Sequence, residues 1–259
     1  MVNVERHGAV LLITLDRPER RNAVDHATLL ELLDIQAELQ SAIAGNDTGN
    51  GTGDTDDVVR CVVLTGAPPA FSAGADLTGV EEGQFAVDLA EVLTGFGRLP
   101  VPVIAAIDGP ALGAGTQLAV ACDLRIATPN SLLGIPAAKL GLAVDLWTIR
   151  EVERQFGAPI ANAMLLAAET FTAADLHRTG GVQRLGDLGA AMEWAQRVAQ
   201  LAPLTIRAHK LGLHAGTSAA NDDDRAVFER ARSAAWASDD ATEGRDAFLA
   251  KRRPDFAGR

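Results

Sequence analysis

Several features are scarce in this sequence of 259 residues, and each scarcity narrows the class of protein. It has two cysteines, Cys61 and Cys122, both in apolar runs, which predicts reduced thiols in the core of a cytoplasmic protein. No apolar run approaches the ~18 residues of a membrane span. The N-terminal residues lack the basic and then apolar order of a signal peptide, so none is expected.

Basic residues are also scarce. The chain has 23 Lys and Arg against 34 Asp and Glu, a formal net charge of −11 at pH 7. This excess of negative charge argues against general binding to nucleic acid or to an anionic membrane. An anionic ligand would need a local cluster of positive charge.

The motifs of several site classes are missing. The glycine turn Gly109–Gly115 does not have the G-x-G-x-x-G spacing of a dinucleotide site, and no phosphate-binding P-loop occurs. No His, Cys, Asp or Glu residues show metal-ligand spacing, and no Ser lies in a G-x-S-x-G turn. We therefore expect no metal and no permanently bound cofactor.

The hydrophobic content of 47% is enough for one large folded unit. Periodicity predicts four strands and two helices in the first half, followed by an almost entirely helical second half. The predicted strands are 8–15, 58–65, 104–107 and 124–127, and the predicted helices are 25–43, with Asp25 as N-cap, and 111–122. Residues 45–57 contain almost only Gly, Asn, Asp and Thr and predict a mobile surface loop. The fold class expected is α/β.

Three glycine-bearing turns follow predicted strands: Phe71–Asp76, Gly109–Gly115 and Leu133–Pro136. Small residues let the backbone approach a ligand, and two such turns can direct N–H groups at one oxygen atom. Tight packing of a helix on a sheet explains any single turn equally well. Asp145, which follows an apolar stretch, is either a helix cap or an acid or base beside an apolar pocket.

Four motifs in order resemble the enoyl-CoA hydratase/isomerase (crotonase) superfamily over nearly the whole chain. They are RPERRNA at 17–23, FSAGADL at 71–77, GPALGAGTQLAVACD at 109–123 and SDDATEGRDAFLAKRRPDF at 238–256. The resemblance implies repeated ββα units in a core at 1–190 and a helical, trimer-forming region at 191–259. It also implies a coenzyme A thioester as ligand, and a homotrimer or a dimer of trimers.

The same resemblance implies roles for individual residues. The backbone N–H groups of Ala75 and Ala114 would bind the thioester oxygen as an oxyanion hole. The second position is usually glycine in the family, and alanine keeps the N–H. Five further residues would contact coenzyme A, the last two of them from a neighbouring subunit: Arg20, Ala73, Leu77, Phe248 and Lys251.

The sequence departs from the family at the two glutamates with which a hydratase activates water. The matching positions are Gln117 and Ala137, and neither side chain exchanges protons near pH 7. No Asp or Glu occurs in residues 124–144, so no nearby acid replaces the second glutamate. The sequence therefore predicts a site that polarises a thioester and lacks the groups that activate water.

Asp145 is the one carboxylate left beside the expected acyl pocket, in the stretch where some isomerases and dehalogenases of the family place an aspartate. The segment 139–150, with Gln117, also resembles an actinobacterial group within the family. That group is thought to carry long-chain acyl-CoA in mycolic-acid lipid synthesis without hydrating it. Three functions stay open: acyl-CoA binding without hydration, working with partner enzymes of fatty-acid synthesis; isomerisation or hydrolysis by Asp145; and true hydration.

Overall fold

The computed structural model describes residues 1–47, 58–76, 82–215 and 222–259. The strands in these ranges are β1 Val2–His7, β2 Val10–Leu15, β3 Cys61–Gly66, β4 Val103–Ile107, β5 Ala111–Leu112, β6 Leu124–Ala127, β7 Leu132–Gly134, β8 Thr170–Thr172 and β9 Arg184–Leu185. The helices are α1 His26–Asp47, α2 Glu82–Arg98, α3 Ala114–Ala121, α4 Leu146–Phe156, α5 Ala158–Leu166, α6 Ala173–Arg178, α7 Leu188–Val198, α8 Pro203–Ala215, α9 Asp222–Ala237 and α10 Asp239–Ala250. Short 3-10 helices span Pro18–Arg20 and Pro136–Leu140.

The main sheet has six strands in the order β1-β2-β3-β4-β6-β9. Strands β1 and β2 are antiparallel, and every other neighbouring pair is parallel. The carboxyl ends of β3 and β4 therefore open at the same edge, where the glycine-bearing turns begin. A smaller sheet, β5-β7-β8, lies beside that edge.

Alternate residues of the parallel strands supply two separate apolar layers, because successive side chains of a strand point to opposite faces. One face carries Ile13, Leu64 and Ile107 into the main core, together with side chains of α1, α2 and α3. The other face carries residues such as Val63 against α7, whose Trp194 closes the second layer. Two covered faces explain why β3 and β4 are almost continuous apolar sequences.

The α/β class is confirmed, and several predicted boundaries need correction. The predicted helix at 111–122 is wrong at its start: Ala111 and Leu112 pair with β7, and α3 begins at Ala114. The predicted loop at 45–57 is wrong at 45–47, which extend α1, and residues 48–57 lie outside the described part. The strand predicted at 58–65 is β3, and the strand β1 had no counterpart in the prediction.

The C-terminal part is helical, as expected, from α7 to α10. The predicted division at residue 190 falls inside α7, which packs on the sheet, and it stays a prediction. The N-cap prediction for α1 is confirmed, since Asp25 Oδ1 accepts the Thr28 N–H at 2.8 Å. Among the described helices, none has the length and apolar content to cross a membrane.

Candidate active site

The first motif forms a turn that is fixed to the second motif. Asn22 is 2% exposed, and its amide donates to the carbonyls of Ala67 and Ala70, each at 2.6 Å. Arg17 forms ion pairs with Asp25 and Asp76, both at 3.1 Å. These contacts hold residues 17–23 against the turn that contains Ala75.

The second and third motifs meet at two glycines. Gly74 has φ +114°, and a Cβ there would lie 2.9 Å from the Leu112 carbonyl oxygen. Gly113 has φ +53°, and its Cβ would lie 3.8 Å from the Cα of Gly74. Both backbones adopt conformations that favour glycine, and the close approach leaves no room for a side chain at Gly74. The two turns are therefore in direct contact, as a site between them requires.

The N–H groups of Ala75 and Ala114 are available at this contact. Within the described part of the chain, neither donates a hydrogen bond, although the flanking Gly74 carbonyl and Asp76 N–H both pair with Val24. Ala114 is the first residue of α3, where N–H groups have no partner inside the helix and carry partial positive charge. Two such donors can stabilise an oxygen that becomes negative.

Gln117 and Asp145, which the sequence analysis treated separately, are joined through Thr148. The Gln117 amide nitrogen donates to Thr148 Oγ1 at 2.7 Å, and Thr148 Oγ1 donates to Asp145 Oδ2 at 2.8 Å. Asp145 Oδ1 also accepts the Thr148 backbone N–H at 3.0 Å, so Asp145 is the N-cap of α4. Thr148 is fully buried and Gln117 is 5% exposed, whereas Asp145 is exposed.

Sequence reasoning missed Thr148. Its signal was the spacing Asp145-Leu146-Trp147-Thr148, which repeats the spacing of Asp25 and Thr28 at the start of α1. That spacing predicts a capping contact. It does not reveal that a residue of α3 reaches the same hydroxyl.

Helices α3 and α4 are also joined at their other ends by a buried cation. Arg125 is fully buried, and it donates to the carbonyls of Ala119 and Cys122 at the end of α3, at 3.1 and 2.9 Å. It also donates to the side chain of Gln155 on α4, which in turn donates to Glu151 at 2.8 Å. The relative position of Ala114 and Asp145 is thus fixed at both ends of the helix pair.

The third turn carries Ala137 into partly apolar surroundings. Ala137, Val144 and Trp147 are partly buried and pack against the main core. Around Asp145 the chain also exposes four large apolar side chains, Leu140, Leu142, Leu146 and Ile149. A methyl group at 137 cannot transfer a proton. The Asp76 carboxylate of the first oxyanion turn is paired with Arg17, and Asp145 is the carboxylate that lies among these exposed apolar side chains.

The remaining predicted contacts with coenzyme A lie in different places. Ala73 and Arg20 are exposed on adjacent turns, which are joined by a hydrogen bond from the Ala73 N–H to the Arg21 carbonyl at 2.9 Å. Leu77 lies outside the described residues. Phe248 belongs to α10, and Lys251 is exposed directly after that helix. The role of these last two residues at the oxyanion turns stays a prediction.

The described residues include no group of three or more His, Cys, Asp or Glu side chains that could hold a metal ion.

Comparison with known proteins gives a consistent match to one family. A family model described as enoyl-CoA hydratase/isomerase matches residues 5–259. The chain is 40% identical over 268 residues to the probable enoyl-CoA hydratase echA6 of Mycobacterium tuberculosis, with all of both chains covered. It is 34% identical to the 2,3-dehydroadipyl-CoA hydratase of Escherichia coli, covering 99% of this chain and 98% of that one.

Solved structures agree. An enoyl-CoA hydratase from Bacillus anthracis superposes with a TM-score of 0.85 at 28% identity, over 100% of this chain and 99% of that one. Pseudomonas aeruginosa DspI superposes with a TM-score of 0.83 at 31% identity, over 98% and 96% of the two chains. The expected crotonase fold is confirmed, and the chain belongs to the enoyl-CoA hydratase/isomerase family, the crotonase superfamily.

Proposed function

We propose that this protein binds acyl-CoA thioesters at the oxyanion turns without hydrating them, as a component of fatty-acid or lipid metabolism. The observation that carries the proposal is that the Ala75 and Ala114 N–H groups donate to no described residue. The family resemblance adds that Gln117 and Ala137 stand where a hydratase carries its glutamates. Backbone donors polarise a thioester whatever their side chains are. Hydration also requires one group to take a proton from water and another to give a proton to carbon.

The surroundings of the turns fit an acyl group. The exposed apolar side chains around Asp145 offer contact to a hydrocarbon chain, which gains about 25 cal/mol for each Å² removed from water. On this proposal, Ala73 and Arg20, on the adjoining turns, contact coenzyme A, and Phe248 and Lys251 of a neighbouring subunit complete the nucleotide end. The ligand is a substrate or cargo, and no resident cofactor is needed.

The test is equilibrium binding of crotonyl-CoA, a saturated acyl-CoA and free coenzyme A to the purified protein. The thioesters should bind at least about tenfold more tightly than free coenzyme A, since only a thioester oxygen engages both N–H groups. Equal affinity for thioester and free coenzyme A would refute the oxyanion site. Absence of binding by all three would refute acyl-CoA as the ligand.

A second candidate function is a double-bond isomerase or thioester hydrolase that uses Asp145 as acid or base. The observation that favours it is that the Asp145 carboxylate is exposed at the start of α4, where it accepts hydrogen bonds from both the backbone N–H and the hydroxyl of Thr148. Asp145→Asn separates the candidates. It should abolish any isomerisation or hydrolysis that the wild type shows and spare binding, because asparagine caps a helix about as well as aspartate.

A further inference from the structure

The hydrogen bonds between α3 and α4 run in one direction. Thr148 Oγ1 carries a single proton, and an ionised carboxylate can only accept, so this proton is donated to Asp145. The hydroxyl must then accept from its other neighbour, which is the role of the Gln117 amide nitrogen at 2.7 Å. Both Thr148 and Gln117 are shielded from solvent, so water does not replace a lost partner.

We propose that Gln117 and Thr148 are positioning residues for the Asp145 carboxylate, and that the amide at 117 is required by the carboxylate at 145. Of the three side chains that these hydrogen bonds join, only Asp145, at the start of α4, is a carboxylate. This inference rests on the proposed function, in which Asp145 lies beside the bound acyl group. It goes beyond that function by assigning Gln117 the role of orienting Thr148 and Asp145, whereas the sequence suggested only that a glutamate had been lost at position 117.

The arrangement has a specific consequence for Gln117→Glu. A glutamate there would be a second acceptor competing for the one Thr148 proton. It would also place two negative charges within about 5 Å of each other, where repulsion is strong in partly buried surroundings. Adding Asp145→Asn to Gln117→Glu removes both the competition for the Thr148 proton and the charge repulsion. The introduced asparagine would still accept the Thr148 N–H, its amide would donate to Thr148 Oγ1, and the hydroxyl would donate to the introduced glutamate.

The experiment is a double-mutant cycle of Gln117→Glu and Asp145→Asn, read as thermal unfolding of the full chain at pH 7 and one fixed protein concentration. Gln117→Glu alone should lower the melting temperature by about 5 °C or more. Asp145→Asn alone should change it by about 2 °C or less, because asparagine keeps the cap and the Gln117 amide can turn its oxygen towards the Thr148 hydroxyl. The double variant should melt within about 2 °C of Asp145→Asn. A double variant that melts as low as Gln117→Glu would contradict the proposal.

Repeating the cycle in two Thr148 backgrounds tests the linking hydroxyl. In Thr148→Ser, which keeps the hydroxyl, the coupling between positions 117 and 145 should persist. In Thr148→Val the coupling should fall to less than half of its value with threonine at 148. Valine has no hydroxyl proton for which the carboxylates at 117 and 145 could compete. Thr28→Val is the matched control: Thr28 is 2% exposed and makes the same capping contact to Asp25, with no partner on α3. Coupling that stays above half of its original value in Thr148→Val, or that falls equally in Thr28→Val, would overturn the role given to Thr148.

The result is separable from that of the proposed function. Crotonyl-CoA binding measured on the wild type tests the ligand, and the unfolding cycle uses no ligand. Binding with additive unfolding effects would refute only the positioning inference. Strong coupling without binding would refute the acyl-CoA ligand and leave the inferred hydrogen-bond direction standing.

Discussion

Backbone and side-chain chemistry are separable at the oxyanion turns. The donors of Ala75 and Ala114 depend only on backbone geometry, which Gly74 and Gly113 make accessible. Substitution at the donor positions therefore leaves the N–H groups in place. Proton transfer depends on side chains, and neither the amide at 117 nor the methyl group at 137 can carry it out. On the proposed function, binding and hydration therefore depend on different residues.

Burial also controls the reactivity of the two cysteine side chains. Burial, with a smaller contribution from the nearby negative charge of Asp123, raises the pKa of both Cys61 and Cys122 to about 12. Both thiols therefore stay protonated at pH 8, and the thiolate is the reactive form. We predict that iodoacetamide labels the folded protein at least about 10³-fold more slowly than it labels free cysteine, as mass spectrometry would measure. Labelling in urea is the positive control, and rapid labelling of the native protein would show that β3 or the end of α3 opens.

Among the elements, α8 is joined to the connection between α3 and β6 by one buried charge pair. Lys210 is 6% exposed, and its ammonium group lies 2.7 Å from Asp123 and 2.9 Å from the carbonyls of Phe96 and Val101. Burial alone would raise the pKa of Asp123, but Lys210 and hydrogen bonds, including one from His214, outweigh it and lower that pKa below 3.8. The carboxylate therefore stabilises the fold above pH 3.8, and this stabilisation is lost as the pH falls below that value.

Asp123→Asn should lower the free energy of unfolding by about 3 kcal/mol or more at pH 7, because Lys210 is left buried without its counter-charge. The difference from the wild type should begin to shrink as the pH falls below the ordinary carboxyl pKa, and it should disappear once the pH passes the lowered pKa of the native Asp123 carboxyl. Urea unfolding at several pH values measures both effects. Asp34→Asn, on an exposed part of α1, is the control and should change stability far less. A pH-independent difference would show that the charge of Asp123 is not what matters.

Helices and strands with a clear local sequence pattern could be predicted. Those whose structure depends on pairing with residues far away in the sequence could not. Strands β4 and β6 and helix α1 are marked by apolar periodicity and, for α1, by a cap. Strand β1 is mostly exposed and reads Val-Asn-Val-Glu-Arg-His, so burial left no pattern in its sequence. The start of α3 was misjudged because Ala111 and Leu112 are held by pairing with β7. The oxyanion residues came from motif resemblance, and Thr148 could be recognised only once α3 and α4 were placed in space.

For the whole molecule, the C-terminal tail is anchored beside the start of β3. Arg60, directly before β3, donates to the Phe256 carbonyl at 2.8 Å, while the first oxyanion turn follows the other end of β3. Six strand residues span about 20 Å. Asp240, 3% exposed, fixes the tail further by accepting the N–H groups of Ala257 and Gly258 at 2.7 and 2.9 Å. The expectation that Phe248 and Lys251 serve the site of a neighbouring subunit requires an assembly of several chains.

We therefore predict a trimer or a dimer of trimers in solution. Sedimentation equilibrium at micromolar concentration should give three or six times the chain mass of 27.1 kDa. A mass of one chain would refute the assembly.

Binding of the nucleotide end provides an independent test of the same geometry. Lys251→Glu should weaken the binding of free coenzyme A by about tenfold, with a smaller dependence on salt than in the wild type, because a charge-assisted phosphate contact is lost. Arg197→Glu makes the same change of charge on the exposed face of α7 and should leave the affinity unchanged. Equal effects of the two variants would mean that net charge, and not a specific contact, controls binding.

The most direct test of the central claim is the rate of crotonyl-CoA hydration at saturating ligand, measured on the same sample that binds it. With Gln117 and Ala137 at the glutamate positions, we predict a rate at least about 10³-fold below that of a family hydratase carrying both glutamates, assayed in parallel. Saturable binding with such a rate is the predicted result. Hydration within about tenfold of the comparison enzyme would contradict the account and show that other groups, Asp145 first among them, activate water.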